Sequence, residues 1–214
     1  MMQMPMFTNV EPKIVPQMVP IYTIGHGNRP IETVVELLQH YGVTYLIDVR
    51  SQPYSRHNPQ FCKDALEKYM AQHNICYIFM GDTLGGRPGD ESCYVNGKVD
   101  YSLVCEKPFY QQGISRLCAA WDKQLHIALL CSESKPQECH RSKLIGNTLI
   151  EQGIEVAHID EVGEIKTQEE VNQMLTNGQL PLFEDLPAVT LSKKIGRSRK
   201  KYVKVDSLID EEAQ

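Results

Sequence analysis

Between Leu130 and Ser142 the chain reads Cys131-Ser132-Glu133-Ser134-Lys135-Pro136-Gln137-Glu138-Cys139-His140-Arg141. Two thiols, a carboxylate, an imidazole and a guanidinium lie close together between two apolar stretches. The first stretch, His126-Ile127-Ala128-Leu129-Leu130, has the look of a buried strand. The second carries Leu144, Ile145, Thr148 and Leu149 on one face of a helix expected from Cys139 to Gln152. Cys131 therefore ends a strand, and Cys139, His140 and Arg141 begin a helix. The free N–H groups and positive dipole end of such a terminus attract anions. An arginine adds a planar, bidentate partner for phosphate or carboxylate. The same field favours a thiolate at Cys139. Cys131, Glu133, Cys139 and His140 are thus candidate catalytic residues, and Arg141 a candidate anion ligand. Against this stands the plain reading of Cys131 as a small packed core residue. A zinc ion on Cys131, Cys139 and His140 is the weaker reading, because the seven-residue gap between the thiols is not a usual zinc spacing. No cofactor is expected.

Two further segments could complete a site. Asp48-Val49-Arg50-Ser51-Gln52-Pro53-Tyr54-Ser55-Arg56 puts polar groups at the end of the apolar run Tyr45-Leu46-Ile47. Asp48 could orient a histidine or hold a sugar hydroxyl, while Arg50 and Arg56 could bind phosphate oxygens; an Asp48–Arg50 pair capping the sheet is the bland alternative. His26 sits between Gly25 and Gly27, where a bare backbone lets a ligand come close. Gly85 and Gly86, followed by Arg87, form either a lid or a simple turn.

The elements that must position these residues alternate. Strands are expected at Ile21–Ile24, Tyr45–Ile47, Cys76–Phe79, His126–Leu130 and, last, Glu155–Ile159. Helices are expected from Pro30 to about Gly42, from Phe61 to Gln72 with Phe61, Ala65, Leu66 and Met70 inward, from Phe109 to Trp121, from Cys139 to Gln152, and from Thr167 to Leu175. Residues 81–100 read as loop. This alternation implies a single α/β domain with a mainly parallel sheet and helices on both faces. Ligands of such sheets bind beyond the carboxyl ends of the strands. All three polar segments leave strands at that end.

The 214 residues, 42% hydrophobic and 23% charged, suit one domain. The expected division is an N-terminal arm at 1–19, the α/β domain at 20–186 and a basic, then acidic, tail at 187–214. The net charge of −5 hides an asymmetry: Lys193, Lys194, Arg197, Arg199, Lys200, Lys201 and Lys204 lie close together on an otherwise acidic chain. That argues against a body coated with positive charge for nucleic acid, though not against a local phosphate pocket. No apolar run is long enough for a membrane span, and the seven cysteines are too sparse and too scattered for a secreted disulfide scaffold. A cytoplasmic location with reduced thiols is expected, with no membrane partner.

Tyr22-Thr23-Ile24-Gly25-His26, Asp48-Val49-Arg50 with Pro53 and Ser55-Arg56, Leu84-Gly85-Gly86, and Cys131-x-Glu133 leading to Cys139-His140-Arg141 together resemble the family called domain of unknown function 488. The resemblance spans about residues 20–160. It implies a single α/β domain and marks His26, Asp48, Arg50, Ser55, Arg56, Gly85, Gly86, Cys131, Glu133, Cys139, His140 and Arg141 as signature positions, but brings no reaction. A weaker similarity is to rhodanese-type sulfurtransferases, in which Cys131 would carry a persulfide; the longer loop to the helix, with Pro136 in it, departs from that pattern. Near the C-terminus, Gln179-Leu180-Pro181-Leu182-Phe183 resembles the pentapeptide that docks bacterial proteins on the DNA sliding clamp, with Gln179, Leu180, Leu182 and Phe183 as the contacts. The basic cluster beyond it could hold phosphate backbones. Three functions are open at this point, and with them whether the protein is an enzyme: catalysis on a phosphate-bearing small molecule or nucleic acid, sulfur transfer or thiol redox, and clamp-docking without catalysis.

Overall fold

A computed structural model describes residues 18–175. Gln179, Leu180, Leu182, Phe183, the basic tail and all but the end of the N-terminal arm lie outside the described residues. In chain order the elements are β1 (Ile21–Gly25), α1 (Ile31–His40), β2 (Tyr45–Asp48), α2 (Lys63–Gln72), β3 (Cys76–Phe79), α3 (Gly81–Leu84), and the strand pair β4 (Tyr94–Val95) and β5 (Lys98–Val99). There follow α4 (Tyr101–Cys105), α5 (Pro108–Asp122), β6 (Ile127–Cys131), α6 (Asn147–Glu151), β7 (Val156–Ile159), β8 (Ile165–Thr167) and α7 (Gln168–Leu175).

The sheet order is β3-β2-β6-β1-β7-β8. Every neighbouring pair is parallel except β7–β8. The sheet is therefore mainly parallel, and β7 is not its last strand. β6 is buried along its whole length, as an apolar run covered on both sides must be. Its side chains alternate between two cores. Ile127 and Leu129 join Ile21, Ile47, Leu117, Leu144 and Leu149 on one face. Ala128 and Leu130 join Ile24, Val34, Leu38, Leu46, Leu66 and Met70 on the other. The buried positions of α1, namely Ile31, Val34, Val35 and Leu38, are those its 3.6-residue periodicity dictates.

The structure departs locally from the expected elements in three places. Phe61 lies in a 3-10 turn, Pro59–Phe61, ahead of α2, and Ala65 is exposed; Cys62 is extended between the turn and the helix. Residues 81–100 contain α3 and a hairpin whose turn is Asn96-Gly97, with φ of 51° and 73°, the left-handed pair that a two-residue hairpin favours. The helix expected from Cys139 instead begins with a 3-10 turn at Pro136–Glu138, continues as a π-helix at Arg141–Gly146 and becomes α only at Asn147.

A buried polar network ties α7 to the sheet. Thr23 Oγ1 donates to His158 Nδ1 at 2.7 Å, and His158 Nε2 donates to Gln168 Oε1 at 2.8 Å. Gln168 Nε2 in turn reaches Ser142 Oγ, Asn147 Oδ1 and Asn172 Oδ1 at 2.9–3.1 Å. Burial, opposed by the Gln168 hydrogen bond and aided by the nearby Arg141 charge, holds the His158 pKa down at about 4, so this imidazole is neutral.

Candidate functional site

β6 lies between β2 and β1, so the loops leaving three adjacent strands meet at one end of the sheet. The loop after β1 follows the loop after β6 for two further residues: His26 N–H donates to the Cys131 carbonyl at 3.0 Å and Gly27 N–H to that of Ser132 at 2.9 Å. The β6 loop then crosses the end of β1 so closely that a Cβ on Gly25 would stand 1.7 Å from the Glu133 carbonyl oxygen. Only glycine allows that approach.

This loop gathers Cys131, Glu133, Cys139 and His140. Glu133 Oε2 accepts from the Cys131 thiol at 2.8 Å and the Cys139 thiol at 3.3 Å. His140 Nδ1 lies 3.6 Å from the Cys131 sulfur and 3.7 Å from that of Cys139. His140 Nε2 is 3.0 Å from the Val49 carbonyl; a carbonyl only accepts, so Nε2 carries a proton and, in the neutral ring, Nδ1 turns a lone pair to the sulfurs. The four donor atoms all lie within 4.8 Å of one another. Both cysteines are buried, His140 is half-buried and Glu133 is exposed.

The electrostatics separate the two thiols. Burial acts against a Cys139 thiolate, but the hydrogen bond from Cys131, the contact with His140 and the charge of Arg141 outweigh it and lower the pKa. Cys131 is driven up by its hydrogen bond to Cys139, then by burial and the charges of Cys139 and Glu133. The pair titrates as a unit, Cys139 losing its proton first. Burial of Glu133 is likewise outweighed by the thiol hydrogen bonds, which lower its pKa. The arrangement offers an acidified thiol, a solvent-facing carboxylate and an imidazole lone pair, suited to acid–base or nucleophilic chemistry or to holding a metal.

Arg141 is fully buried. Its Nη1 donates to the Glu133 carbonyl and its Nη2 to the Ser134 carbonyl at 2.9 Å, while Nε has no hydrogen-bond partner. The guanidinium fastens the β6 loop to the helix that follows it, and both terminal nitrogens are engaged there. These contacts take one N–H from each terminal nitrogen of the side chain expected to bind an anion. The peptide N–H of Arg141 also points at the Cys139 sulfur, at 3.4 Å.

Asp48 and Arg50 form the buried pair that the bland alternative described. Arg50 Nε donates to Asp48 Oδ1 at 2.8 Å and Nη2 to Oδ2 at 2.6 Å; Tyr77 Oη adds a hydrogen bond to Oδ2 at 2.7 Å. Burial works against the Arg50 charge, and Asp48 more than offsets it. Burial and the Asp48 charge push the Tyr77 phenol up. Arg50 Nη1 lies 3.5 Å from His26 Nε2. His26 donates from Nδ1 to the Gly27 carbonyl at 2.9 Å and stacks on Phe61 at 4.3 Å. Burial lowers its pKa, the Gly27 hydrogen bond opposes this and the Arg50 charge adds to it. His26 and Arg50 thus flank the cysteine cluster, and Cys131 and Glu133 exert charge effects on them.

The remaining candidates are placed less centrally. Ser55 Oγ accepts from the Asn58 N–H at 3.0 Å and so shapes its own loop; Arg56 is exposed on that loop. Gly85 packs on Ser51 and the Gly81 carbonyl, and Gly86 packs on the His140 ring, where a Cβ would stand 2.7 Å from Cγ. The Gly85-Gly86 segment is thus a close-packed backing for His140. Sequence reasoning missed Tyr77, Phe61 and the Val49 carbonyl, whose roles depend on contacts across strands. It also missed Tyr101: burial raises this phenol's pKa, the Cys139, Cys131 and Glu133 charges add to the rise, and Arg87 opposes it, which brings Arg87 and Tyr101 into the same neighbourhood. The Asp100 N-cap that positions Tyr101, accepting from the Ser102 and Leu103 N–H groups, is the one local signal that could have exposed α4.

The profile of a family described as domain of unknown function DUF488 matches residues 30–147, more than half of the 214 residues. The match takes in Asp48, Arg50 and the whole Cys131–Arg141 segment, while His26 precedes it. No curated protein and no solved structure matches the chain. Among the described residues no helix is long and apolar enough to cross a membrane.

Proposed function

We propose a function for a chain that belongs to the domain of unknown function 488 family: it is an enzyme acting on a phosphate-bearing substrate, a nucleotide or a stretch of nucleic acid, at the Cys131–Glu133–Cys139–His140 cluster. The observation that carries this reading is the convergence of four chemistry-bearing side chains within 4.8 Å at the carboxyl ends of adjacent parallel strands, where α/β sheets bind their ligands. Glu133, the exposed member, is the group placed to take or give a proton. The buried sulfurs and imidazole hold the reacting centre. With Arg141 committed to loop carbonyls, the substrate anion falls to Arg50 Nη1, which Asp48 does not use, and to the exposed Arg87 and Arg56 on the neighbouring loops.

The test is calorimetric binding of nucleoside phosphates and short oligonucleotides beside their unphosphorylated counterparts. The phosphorylated ligands should bind more tightly, and Arg87→Ala should weaken them about tenfold, the loss of one charge-assisted contact. Glu133→Gln should bind substrate but turn it over more slowly. Equal binding of phosphorylated and unphosphorylated ligands, unaffected by Arg87→Ala and Arg56→Ala, would sink the reading.

A second reading, thiol redox or sulfur transfer, draws support from one contact: both thiols donate to the same carboxylate oxygen, so the sulfurs are near neighbours. It requires that Cys131→Ser and Cys139→Ser each abolish persulfide or disulfide turnover. Full turnover in both variants ends it.

A further inference from the structure

We propose that Cys131, Cys139 and His140 bind a divalent transition-metal ion of the zinc class, with Glu133 as the fourth and exchangeable ligand. This deepens the reading above, on which it rests for the identity of the reactive centre.

The donor set and its shape both point this way. A tetrahedral ion with bonds of about 2.3 Å to sulfur and 2.0–2.1 Å to imidazole nitrogen sets each sulfur about 3.6 Å from that nitrogen. The two distances from His140 Nδ1 are 3.6 Å to Cys131 Sγ and 3.7 Å to Cys139 Sγ. Glu133 Oε2 stands nearer, 2.8 Å from Cys131 Sγ and 3.3 Å from Cys139 Sγ, in hydrogen bonds that it would exchange for the fourth place by drawing back to the separation of about 3.6 Å that a tetrahedral ion sets. Two thiols and an imidazole form a soft set that selects zinc-like ions over magnesium or calcium. The seven-residue gap between the thiols, unusual for a zinc motif read from sequence, is spanned because the 3-10 turn at Pro136–Glu138 brings Cys139 back to the strand end.

The surroundings are those that orient metal ligands. The Val49 carbonyl takes the His140 Nε2 proton at 3.0 Å, which leaves Nδ1 as the ligating atom. The Arg141 N–H directed at Cys139 Sγ at 3.4 Å is a donor of the kind that supports a metal-bound sulfur. Gly86 packs against the His140 ring, so the imidazole is fixed between two loops of other origin. Arg141 holds the Glu133 and Ser134 carbonyls and with them the loop that carries the ligands. The cysteines are buried and Glu133 is exposed. The ion would therefore be closed on three sides and open on the side where a substrate arrives, as a catalytic rather than a structural site requires. On binding, both sulfurs ligate as thiolates, and whatever thiol proton remains passes to solvent as its metal–sulfur bond forms.

The experiment uses the full chain, reduced and stripped with a chelator, then titrated with Co²⁺ and separately with Zn²⁺. One ion per chain should bind, and Co²⁺ should show the thiolate charge-transfer absorption and intense visible bands of a tetrahedral sulfur-ligated site. Cys131→Ser and Cys139→Ser should each weaken binding by about 100-fold or more, at least the loss that disturbing an outer-shell partner causes. Glu133→Gln, at an exposed position, should keep the charge-transfer band and weaken binding less. Less than stoichiometric metal in the wild-type chain, or a Co²⁺ spectrum without charge transfer, overturns the proposal irrespective of how the variants fold. Equal metal affinity in the cysteine variants does the same. Phosphate-ligand binding is measured on the metal-loaded and stripped protein in parallel. A chain that binds the phosphate ligand but takes up no metal overturns the ion alone, and one that takes up metal but binds no phosphate ligand overturns the phosphate-substrate reading alone.

Discussion

Replacing Arg141 by methionine separates a clamp from a ligand. Methionine keeps most of the side-chain volume, so the void left behind is small, but it removes the hydrogen bonds to the Glu133 and Ser134 carbonyls. A hydrogen bond to a charged group contributes about 1.5–3 kcal/mol, and the two would sum to about 3–6 kcal/mol. Relief of burying a charge whose Nε lacks a partner offsets part of that loss. The expected destabilisation is about 3 kcal/mol, at the low end. With a urea slope of about 2 kcal/mol per molar, the unfolding midpoint falls by about 1.5 M, which circular dichroism reads directly. Binding of a phosphate-bearing ligand, measured on the folded variant well below its midpoint, should change less than it does in Arg87→Ala. A variant as stable as the wild type within about 0.5 kcal/mol, yet unable to bind the phosphorylated ligand, would refute the clamp and restore Arg141 to the pocket.

Other outcomes follow from the same geometry. His158, held at about pKa 4 in the fold against about 6.5 unfolded, contributes its full stability above pH 6.5. As the pH falls to 4 the unfolded chain takes up the proton first, and about 3 kcal/mol is lost. His158→Gln should be weaker at neutral pH but free of that one-proton slope, and parallel stability–pH curves for the two proteins would contradict it. Gly86→Ala should cost about 1–3 kcal/mol by overpacking and shift the His140 ring resonances in NMR, because its Cβ would stand 2.7 Å from Cγ; unchanged resonances would show that the loop yields instead. Tyr77→Phe removes one donor from Asp48 and should lower stability by about 1 kcal/mol in urea melts, leaving the Asp48–Arg50 pair in place.

The periodicity of α1 and the apolar run of β6 were enough to place those elements, since each reports a local preference together with the face it must bury. The same patterns gave a mainly parallel sheet with helices on both sides. Local signals failed where geometry turned on one residue. Cys62 separates the Phe61 turn from α2 and the π-wound segment at Arg141 carries no distinctive composition, whereas the hairpin at Asn96-Gly97 does have a local signal in that dipeptide. β8 is three residues long, too short for its alternation to register.

The segment from Cys131 to Arg141 was visible in the sequence as reactive residue types after a strand and before a helix, and that much follows from chain order alone. Which atoms those residues face was decided by the fold. The order β2-β6-β1 sets Val49 against His140 and Gly25 beneath Glu133, contacts between residues far apart in the chain. Arg141 illustrates the difference. Its position beside a helix start suggested an anion, and the fold shows what the sequence did not, that carbonyls of its own loop, folded back by the turn at Pro136, take two of its donors. Spacing along the chain measures connectivity; the environment of a buried charge depends on what packs around it, and only the tertiary structure supplies that.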